Sequence, residues 1–351
     1  MKILVTGGCG FIGTNFIKIA LDKKYEVLNI DSLTYASSKE KEIFSNKKHT
    51  FINSNIGNKK KISKVLNKFN PAAIVNFASE THVDRSIYNP EIFFKTNIID
   101  TVRFLDTAKN FFLQKNKKNF RFIHISTDEV YGSLKKKERS FTETNKFFPN
   151  SPYAASKASS DHAVRAYFKT YGFPIIISNC SNNYGPYQYP EKLIPLILLN
   201  ALSNKILPIY GDGRQVRDWL YVEDHCNAIL RILKKGKVGE TYNIGGRNEM
   251  SNIVLVKKIC SYLDTKFKRN KSNSFLNQIR FVDDRLGHDR RYAVDSSKIT
   301  RDLKWKPDYN FENGIKITIE WYLKNFKWIS RKKKQYNKWI KKNYSKRNEK
   351  K

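Results

Sequence analysis

A glycine-rich turn near the N-terminus constrains this chain more than any other feature. Gly8, Gly10 and Gly13 form a G-x-G-x-x-G pattern between an apolar run at residues 2–5 and an amphipathic stretch at residues 12–21. Such a turn lets backbone N–H groups approach a pyrophosphate at the start of a helix. Asp31 ends the next apolar run, where a carboxylate accepts hydrogen bonds from a ribose and repels a 2′-phosphate. The pattern therefore predicts a site for NAD rather than NADP.

Apolar runs alternate with amphipathic stretches through the first half of the chain. This alternation is typical of an α/β fold with a doubly wound (Rossmann) parallel sheet, whose ligands bind beyond the carboxyl ends of the strands. The predicted strands are residues 2–5, 26–30, 49–53, 73–77, 120–125 and 175–178, and the predicted helices are residues 12–21, 59–69, 92–112 and 156–171.

Beyond residue 182 the alternation gives way to segments interrupted by prolines. We expect a Rossmann domain from residues 1–182 and about 215–247, and a smaller mixed α/β substrate-binding domain from about 183–214 and 248–330. Residues 331–351 form a basic tail. Its large apolar side chains have near-helical spacing, so we expect a docked helix there. Those side chains are Tyr336, Trp339, Ile340 and Tyr344.

The charge balance raises nucleic-acid binding as a hypothesis from another functional class. The 66 basic and 32 acidic residues give a net charge of +34, as in many nucleic-acid-binding proteins. However, Lys outnumbers Arg by 49 to 17 and is spread along the whole chain, whereas surfaces that read bases favour Arg. A solvated basic surface is the favoured interpretation, and attraction of an anionic small substrate is a second one.

Cysteine usage and hydropathy indicate a cytoplasmic protein. The four cysteines contain no C-x-x-C pair, so neither a zinc site nor a disulfide framework is indicated. The apolar run at the N-terminus is too short for a signal peptide. The longest apolar stretch, residues 193–202, is much shorter than the roughly 20 residues of a membrane helix. We expect a soluble protein without a metal.

Tyr153 and Lys157 lie one helical turn apart on the same face of a predicted helix. An adjacent ammonium group favours a phenolate and lowers the pKa of a tyrosine towards the range of a general base. Downstream of a dinucleotide fingerprint, this pair resembles the active-site pair of the short-chain dehydrogenase/reductase family.

Residues 126–132, which follow the predicted strand 120–125, contain the adjacent carboxyl groups of Asp128 and Glu129. In an extended strand neighbouring side chains face opposite sides, so both can serve one substrate only if the chain turns here. If it turns, different surroundings could separate their pKa values and make them an acid and base pair.

Together these motifs resemble the dTDP-glucose 4,6-dehydratases, a family of extended short-chain dehydrogenases/reductases, from residue 1 to about 344. The resemblance implies dehydration of dTDP-glucose to dTDP-4-keto-6-deoxyglucose with NAD recycled. The further matching stretches are residues 80–86, 151–153, 179–186, 191–195, 217–224 and 287–292.

The resemblance also implies a role for each catalytic residue. Tyr153, assisted by Lys157, removes the 4-hydroxyl proton while hydride passes to NAD, and Thr127 holds the 4-oxygen. Glu129 takes the 5-proton and Asp128 protonates the departing 6-hydroxyl. Hydride then returns to the 6-position, so NAD is a resident cofactor.

By the same matching, two sets of binding residues are expected. The cofactor set is Gly7, Gly10, Phe11, Ile12, Gly13, Asp31, Thr34, Asn55, Ile56, Ala78, Thr96, Tyr153, Lys157 and Asn183. The substrate set is Glu80, His82, Arg85, Thr127, Asn182, Lys192, Leu193, Pro208, Tyr210, Arg217, Asn252, Arg285 and His288.

The resemblance implies a homodimer, in which the helices at residues 92–112 and 156–171 pair across a two-fold axis. Four positions depart from the usual pattern: Asn55, Asn76, Ser79 and Leu286 replace Asp, His, Ala and Pro. The loop after Gly132 is short and rich in lysine. These changes bear on substrate affinity and loop closure and leave the catalytic residues intact.

Other enzymes on the same scaffold are alternatives. A UDP-sugar 4-epimerase or a decarboxylase needs no carboxyl pair for elimination, so the Asp128 and Glu129 pair speaks against both. A UDP-glucose 4,6-dehydratase remains open, because the sequence does not separate thymine from uracil.

Overall fold

The structure, a computed structural model, describes residues 1–344. Its strands, in chain order, are β1 (Lys2–Thr6), β2 (Glu26–Asp31), β3 (His49–Asn53), β4 (Ala73–Asn76), β5 (Arg121–Thr127), β6 (Ile175–Cys180), β7 (Asn182–Tyr184), β8 (Leu207–Tyr210), β9 (Val216–Tyr221), β10 (Thr241–Ile244), β11 (Glu249–Ser251) and β12 (Ile279–Val282).

The helices are α1 (Phe11–Asp22), α2 (Lys41–Phe44), α3 (Lys59–Phe69), α4 (Val83–Tyr88), α5 (Pro90–Phe94), α6 (Thr101–Lys115), α7 (Pro152–Tyr171), α8 (Leu193–Leu202), α9 (Val222–Lys235), α10 (Asn252–Lys266), α11 (Ser297–Leu303), α12 (Phe311–Lys324) and α13 (Phe326–Tyr344). A π-helical segment, Lys95–Asp100, joins α5 to α6, and short 3₁₀ turns cover Asp128–Tyr131, Lys271–Asn273 and Phe275–Gln278.

The main sheet has seven strands in the order β3-β2-β1-β4-β5-β6-β10, and every neighbouring pair is parallel. The predicted α/β doubly wound sheet is therefore confirmed. Its central strands are apolar along almost their whole length because helices cover both faces. The chain reverses its direction of progress between β1 and β4, the switch point at which such sheets bind ligands.

Helix α7 shows how the local sequence positions the site. The Ser151 Oγ atom accepts the Ala154 N–H at 3.1 Å, Pro152 occupies the first turn, and Gly172 ends the helix with a φ of +62°. Ser at the cap, Pro in the first turn and a left-handed Gly at the end are strong helix boundary signals. They fix Tyr153 in the first turn of α7, directly beside the end of β5.

The predicted helix at residues 92–112 is divided, because a π-helical segment interrupts it. Asn97 in this segment is buried; its Oδ1 atom accepts the Glu80 N–H at 2.8 Å and its Nδ2 atom donates to Ser156 Oγ at 2.9 Å. Such π-helical bulges often occur at functional sites. Here the bulge ties the segment after β4 to α7, and sequence periodicity gives no sign of it.

A second apolar core lies among β8, β9, α8, α10 and α12. The smaller sheets are β7-β9-β11 and the pair β8-β12. Two features differ from the expected domain boundaries, which assigned residues 215–247 to the Rossmann domain and residues 248–330 to the smaller domain. Trp219 and Tyr221 belong to this second core, while Ile299, Leu303 and Trp305 pack on the main-sheet core because α11 contacts β10.

The expected tail helix lies within α13 from residue 331 to Tyr344, and residues 345–351 of that tail lie outside the described residues. Within residues 1–344, none of the helices combines the length and apolar character needed to cross a membrane. Among the same residues, no cluster of three or more His, Cys, Asp or Glu side chains is arranged to hold a metal ion.

Candidate active site

A large cavity opens at the carboxyl ends of β1, β2, β4 and β5, where the switch point lies. The structure brings together in its lining all fourteen residues of the expected cofactor set and all five expected catalytic residues. Ser32, Ser37, Ser126, Gln188, Tyr189 and Glu191 also line the cavity, and the sequence interpretation did not include them. One cavity therefore adjoins both the dinucleotide turn and the two carboxyl groups.

The glycine turn has the shape that a dinucleotide requires. Gly7 has a φ of +68°, and a Cβ atom there would lie 2.7 Å from the Ala78 backbone nitrogen. A Cβ atom at Gly13 would overlap the Gly7 carbonyl. Gly8, by contrast, packs against Asn29 away from the cavity. The glycines that line the cavity are thus Gly7, Gly10 and Gly13, and the residues present fit a dinucleotide.

The Asp31 carboxylate is fixed by hydrogen bonds at the end of β2. Its Oδ2 atom accepts the Cys9 N–H at 2.9 Å, and its Oδ1 atom accepts the Leu33 N–H at 2.7 Å and the Ser37 hydroxyl at 3.0 Å. A carboxylate has about four acceptor positions, so one remains for a ribose hydroxyl. The charge also repels a 2′-phosphate.

The chain turns at Asp128 and Glu129, as it must if both carboxyl groups are to act on one substrate. Thr127 ends β5, and a 3₁₀ turn begins at Asp128. The Thr127 hydroxyl oxygen accepts the Glu129 N–H at 3.3 Å and so caps this turn. Both carboxyl groups line the same cavity as a result.

Different surroundings act on the two carboxyl groups. Burial, followed by the charges of Glu129 and Asp218, raises the pKa of Asp128 well above its usual range. Burial also raises the pKa of Glu129, but the cations of Arg217, Lys192 and Arg285 oppose this rise. Asp128 therefore favours its protonated form, as a general acid requires, while three cations favour the ionised form of Glu129.

Asp128 also has an atom free for a ligand. Its Oδ2 atom is buried and has no hydrogen-bond partner among the described residues, whereas its Oδ1 atom accepts the Thr127 hydroxyl at 3.3 Å. Buried polar atoms are normally paired, so an unpaired carboxyl oxygen beside a cavity is placed for a substrate group.

Tyr153 and Lys157 both line the cavity, but they differ from the expected electrostatics. Burial and the charge of Glu129 raise the pKa of Tyr153 well above its usual range, whereas the sequence predicted a lowered pKa. The Lys157 ammonium donates to the Ile125 carbonyl at 2.7 Å, and the Asp161 charge opposes the lowering of the Lys157 pKa by burial. Burial and the charge of Glu129 thus set the direction of the pKa shift at Tyr153.

A buried polar network lies behind β5, and the sequence pattern did not predict it. The Asp161 Oδ2 atom accepts the Ser126 hydroxyl at 2.7 Å and the Asn179 amide at 3.2 Å, and its Oδ1 atom lies 3.4 Å from His124 Nε2. Burial raises the pKa of Asp161 to about 6. The sequence did contain one indication of this network, because Asp161 lies one helical turn beyond Lys157.

Four of the thirteen expected substrate residues line the cavity: Glu80, Thr127, Asn182 and Lys192. Two more lie beside it. Arg85 forms an ion pair with Glu80 at 3.3 Å, and His82 Nε2 lies 3.7 Å from Glu191 Oε2. Six of the thirteen expected substrate residues thus lie in or beside the cavity.

A second group of expected substrate residues lies outside the cavity lining. The Arg285 guanidinium lies 5.5 Å from the Tyr210 ring centroid, and the His288 ring lies 6.4 Å from the same ring. Arg217 is buried and stacks on the Tyr292 ring at 4.3 Å. Arg217 and Arg285 lie near enough to Glu129 for their charges to oppose the rise in its pKa.

The structure does not bring the last three expected substrate residues into the cavity lining. Leu193 begins α8 and packs on the second core, Pro208 lies in β8, and Asn252 begins α10.

The departures from the usual pattern have local explanations. The Asn55 side chain accepts the Gly57 N–H at 2.6 Å and donates to Asp100 at 3.0 Å. Asn76 joins Thr6 to the ring of His124, which lies 3.1 Å from its Nδ2 atom. Further, the Ser79 hydroxyl donates to Asn97 Oδ1 at 3.0 Å, and Leu286 is 74% exposed.

Comparisons with known proteins agree with this geometry. A family model described as GDP-mannose 4,6 dehydratase matches residues 4–318. The dTDP-glucose 4,6-dehydratase of Shigella flexneri is 50% identical, and the match covers 98% of this chain and 99% of that protein.

Two solved structures are similar over almost the whole chain. The dTDP-glucose 4,6-dehydratase of Bacillus anthracis, in complex with NAD, has a TM-score of 0.83 and 45% identity, covering 95% of this chain and 99% of that one. The dTDP-glucose 4,6-dehydratase of Streptomyces venezuelae, with NAD and dTDP bound, has a TM-score of 0.85 and 40% identity, covering 95% and 100%.

Proposed function

The chain belongs to the dTDP-glucose 4,6-dehydratase family, and from this premise we propose that it converts dTDP-glucose to dTDP-4-keto-6-deoxyglucose. The observation that carries the proposal is the placement of Asp128 and Glu129 in one cavity with Tyr153 and the dinucleotide turn. Removal of water needs an acid and a base in addition to a redox pair, and this cavity contains both.

Each catalytic side chain has a position suited to one proton. Tyr153 accepts the 4-hydroxyl proton, and Lys157, held by the Ile125 carbonyl, supplies positive charge behind it. Thr127 donates a hydrogen bond to the 4-oxygen. The 4-ketone acidifies the 5-proton, which Glu129 removes, and Asp128 delivers its proton to the departing 6-hydroxyl.

NAD, when bound against the glycine turn and Asp31, supplies the hydride acceptor and donor. The redox change is then zero overall, because the hydride removed from the 4-position returns to the 6-position. The surroundings within the chain do not favour a phenolate at Tyr153, whereas a cationic nicotinamide bound in the cavity would favour it.

The sugar nucleotide is proposed to extend from the cavity towards the basic group of Arg217, Arg285 and His288. Arg217 and Lys192 suit a diphosphate, because guanidinium and ammonium groups form charge-assisted hydrogen bonds with phosphate oxygens. A 4-epimerase or decarboxylase would leave Asp128 without a task, so we favour the dehydratase.

A parallel incubation tests this proposal. The purified protein is supplied with NAD and either dTDP-glucose or UDP-glucose, and the products are examined by mass spectrometry. We expect dTDP-glucose to lose one water, which leaves a ketone at position 4 and makes carbon 6 a methyl group. Faster conversion of UDP-glucose would reassign the nucleotide, and epimerised sugar of unchanged mass would contradict the dehydratase.

We expect the protein to bind NAD at least about tenfold more tightly than NADP. The reason is that a 2′-phosphate would lie against the Asp31 carboxylate, and like charges a few ångströms apart cost on the order of 1 to 4 kcal/mol. Titration of the cofactor-free protein with each dinucleotide measures the ratio. Asp31→Asn should narrow it, and equal binding of both by the unaltered protein would contradict the assignment.

We propose a homodimer formed through α5, α6 and α7. Three large apolar side chains are exposed on the segment from α5 through the π-helical turn: Ile92 at 37%, Phe94 at 38% and Ile99 at 50%. Large apolar side chains exposed along one segment suit an interface between protomers. Light scattering at micromolar concentration should give about twice the chain mass of 41.1 kDa, and Ile99→Asp should lower it. A monomeric unaltered protein would contradict this.

We also propose a cytoplasmic location and no nucleic-acid partner. The four cysteines are free and buried, which suits a reducing compartment. The lysine excess is assigned to a solvated surface. Retention on an RNA column at moderate salt would contradict this assignment.

A further inference from the structure

The first half of α13 contacts the loop that follows β2, although the two are almost 300 residues apart in the chain. Lys332 is only 6% exposed, and its Nζ atom donates a hydrogen bond to the Ser37 carbonyl at 2.7 Å. One turn earlier, the Trp328 indole N–H donates to Glu40 Oε1 at 3.0 Å. A lysine is rarely so deeply buried without a specific partner, so this contact is a built feature.

The loop held by α13 forms one wall of the cofactor cavity. Ser37 lines the cavity, and its hydroxyl donates to the Asp31 carboxylate at 3.0 Å. The next residue, Ser38, donates its N–H to the Cys9 carbonyl in the glycine turn at 2.7 Å. Lys332 is therefore two hydrogen bonds from the carboxylate that is placed for the ribose.

The same part of α13 is also attached on its other side. The Tyr189 hydroxyl donates to the Lys332 carbonyl at 3.4 Å, and Lys333 Nζ donates to Asn200 Oδ1 in α8 at 2.6 Å. Tyr189 lines the cavity opposite the loop, and its ring lies 5.4 Å from that of Tyr35 in the loop. The helix thus spans the loop and the segment that faces it.

We propose that the first half of α13 is a strap that holds the loop at residues 32–40 closed over bound NAD, with Lys332 as its positioning residue. This inference rests on the proposed function, in which NAD stays bound because the hydride must return to the same substrate. Release of the cofactor requires this loop to move away from Asp31. Each bond from α13 to the loop must break first, which slows release.

Lys332→Met tests the strap, because methionine keeps the unbranched apolar stem and the helix propensity but lacks the ammonium group. The matched control is Lys334→Met on an exposed position of the same helix. The rate of NAD release is measured by trapping the freed cofactor after dilution. Loss of one charge-assisted hydrogen bond should speed release about tenfold in Lys332→Met and leave Lys334→Met unchanged.

Two further measurements separate a strap from general support of the fold. At saturating NAD, kcat of Lys332→Met should stay within about twofold of the unaltered value. The cofactor-free variant should stay folded at the assay temperature, because the loss of one buried hydrogen bond lowers the unfolding temperature only modestly. Trp328→Phe, which keeps an aromatic side chain but loses the indole N–H, should also speed release, and it carries the test if Lys332→Met folds poorly. Release at the unaltered rate in both variants would overturn the strap.

The outcomes distinguish the strap from the function on which it rests. An unaltered protein that converts dTDP-glucose while both variants retain NAD normally contradicts the strap alone. An unaltered protein that binds NAD but forms no product contradicts the proposed function.

Discussion

Replacing Tyr153 with Phe is expected to slow both cofactor reduction and product formation by about 10²- to 10⁴-fold, the usual contribution of a positioned general base. The oxidation at the 4-position precedes every later step, so loss of the base stops the whole sequence. Phenylalanine keeps the ring that lies 6.4 Å from Phe93, and folding should be unaffected. The measurement is the rise of NADH absorbance in a single turnover, followed by quantification of the ketone.

The matched control is Tyr171→Phe, which removes a hydroxyl from an exposed position of the same helix and should leave both rates unchanged. If Tyr153→Phe reduced NAD at the unaltered rate, another group would be the base and the assignment of Tyr153 would be wrong.

Replacing Asp128 with Asn is expected to act on a different step. Asparagine keeps the shape and can still form hydrogen bonds, but it cannot deliver a proton to the departing 6-hydroxyl. We expect NADH to form at a near-normal rate on addition of dTDP-glucose and then to persist. Formation of the final sugar should be slower by about 10²- to 10⁴-fold, or roughly 3 to 5.5 kcal/mol of barrier.

The control for this variant is Asp22→Asn, at an exposed position at the end of α1, which should behave as the unaltered protein. If Asp128→Asn lost hydride transfer as severely as Tyr153→Phe, Asp128 would hold the site together and would not be its acid. A near-normal overall rate would favour an epimerase-like enzyme.

Much of the fold followed from the sequence because the strands of a doubly wound sheet are buried on both faces and are continuous apolar runs. The strand β3 and the helix α3 have the expected bounds. The sequence indicated only that the chain must turn at Asp128 if both carboxyl groups are to serve one substrate. Whether it turns depends on capping by the Thr127 hydroxyl oxygen. Likewise, β5 extends two residues beyond its apolar run, because Ser126 and Thr127 pair with β6.

The remaining features depend on contacts between distant segments, which periodicity does not encode. In the π-helical segment, Asn97 forms hydrogen bonds with Glu80 and Ser156. The burial of Lys332 depends on its hydrogen bond to the Ser37 carbonyl. The prediction of a lowered pKa for Tyr153 was wrong, because the pKa is raised within the chain. The Tyr153 to Lys157 spacing shows a nearby ammonium but not the extent of burial or the charge of Glu129.

Transfer of hydride from position 4 to position 6 of the sugar is tested most directly by following one labelled hydrogen atom through the reaction. The protein, with bound NAD, is given dTDP-glucose that carries deuterium at position 4, and the product is analysed by nuclear magnetic resonance. We predict a 4-keto-6-deoxy sugar with the deuterium at position 6, because the hydride removed by oxidation returns after water has left. Product without deuterium, or deuterium found in released cofactor, would contradict it.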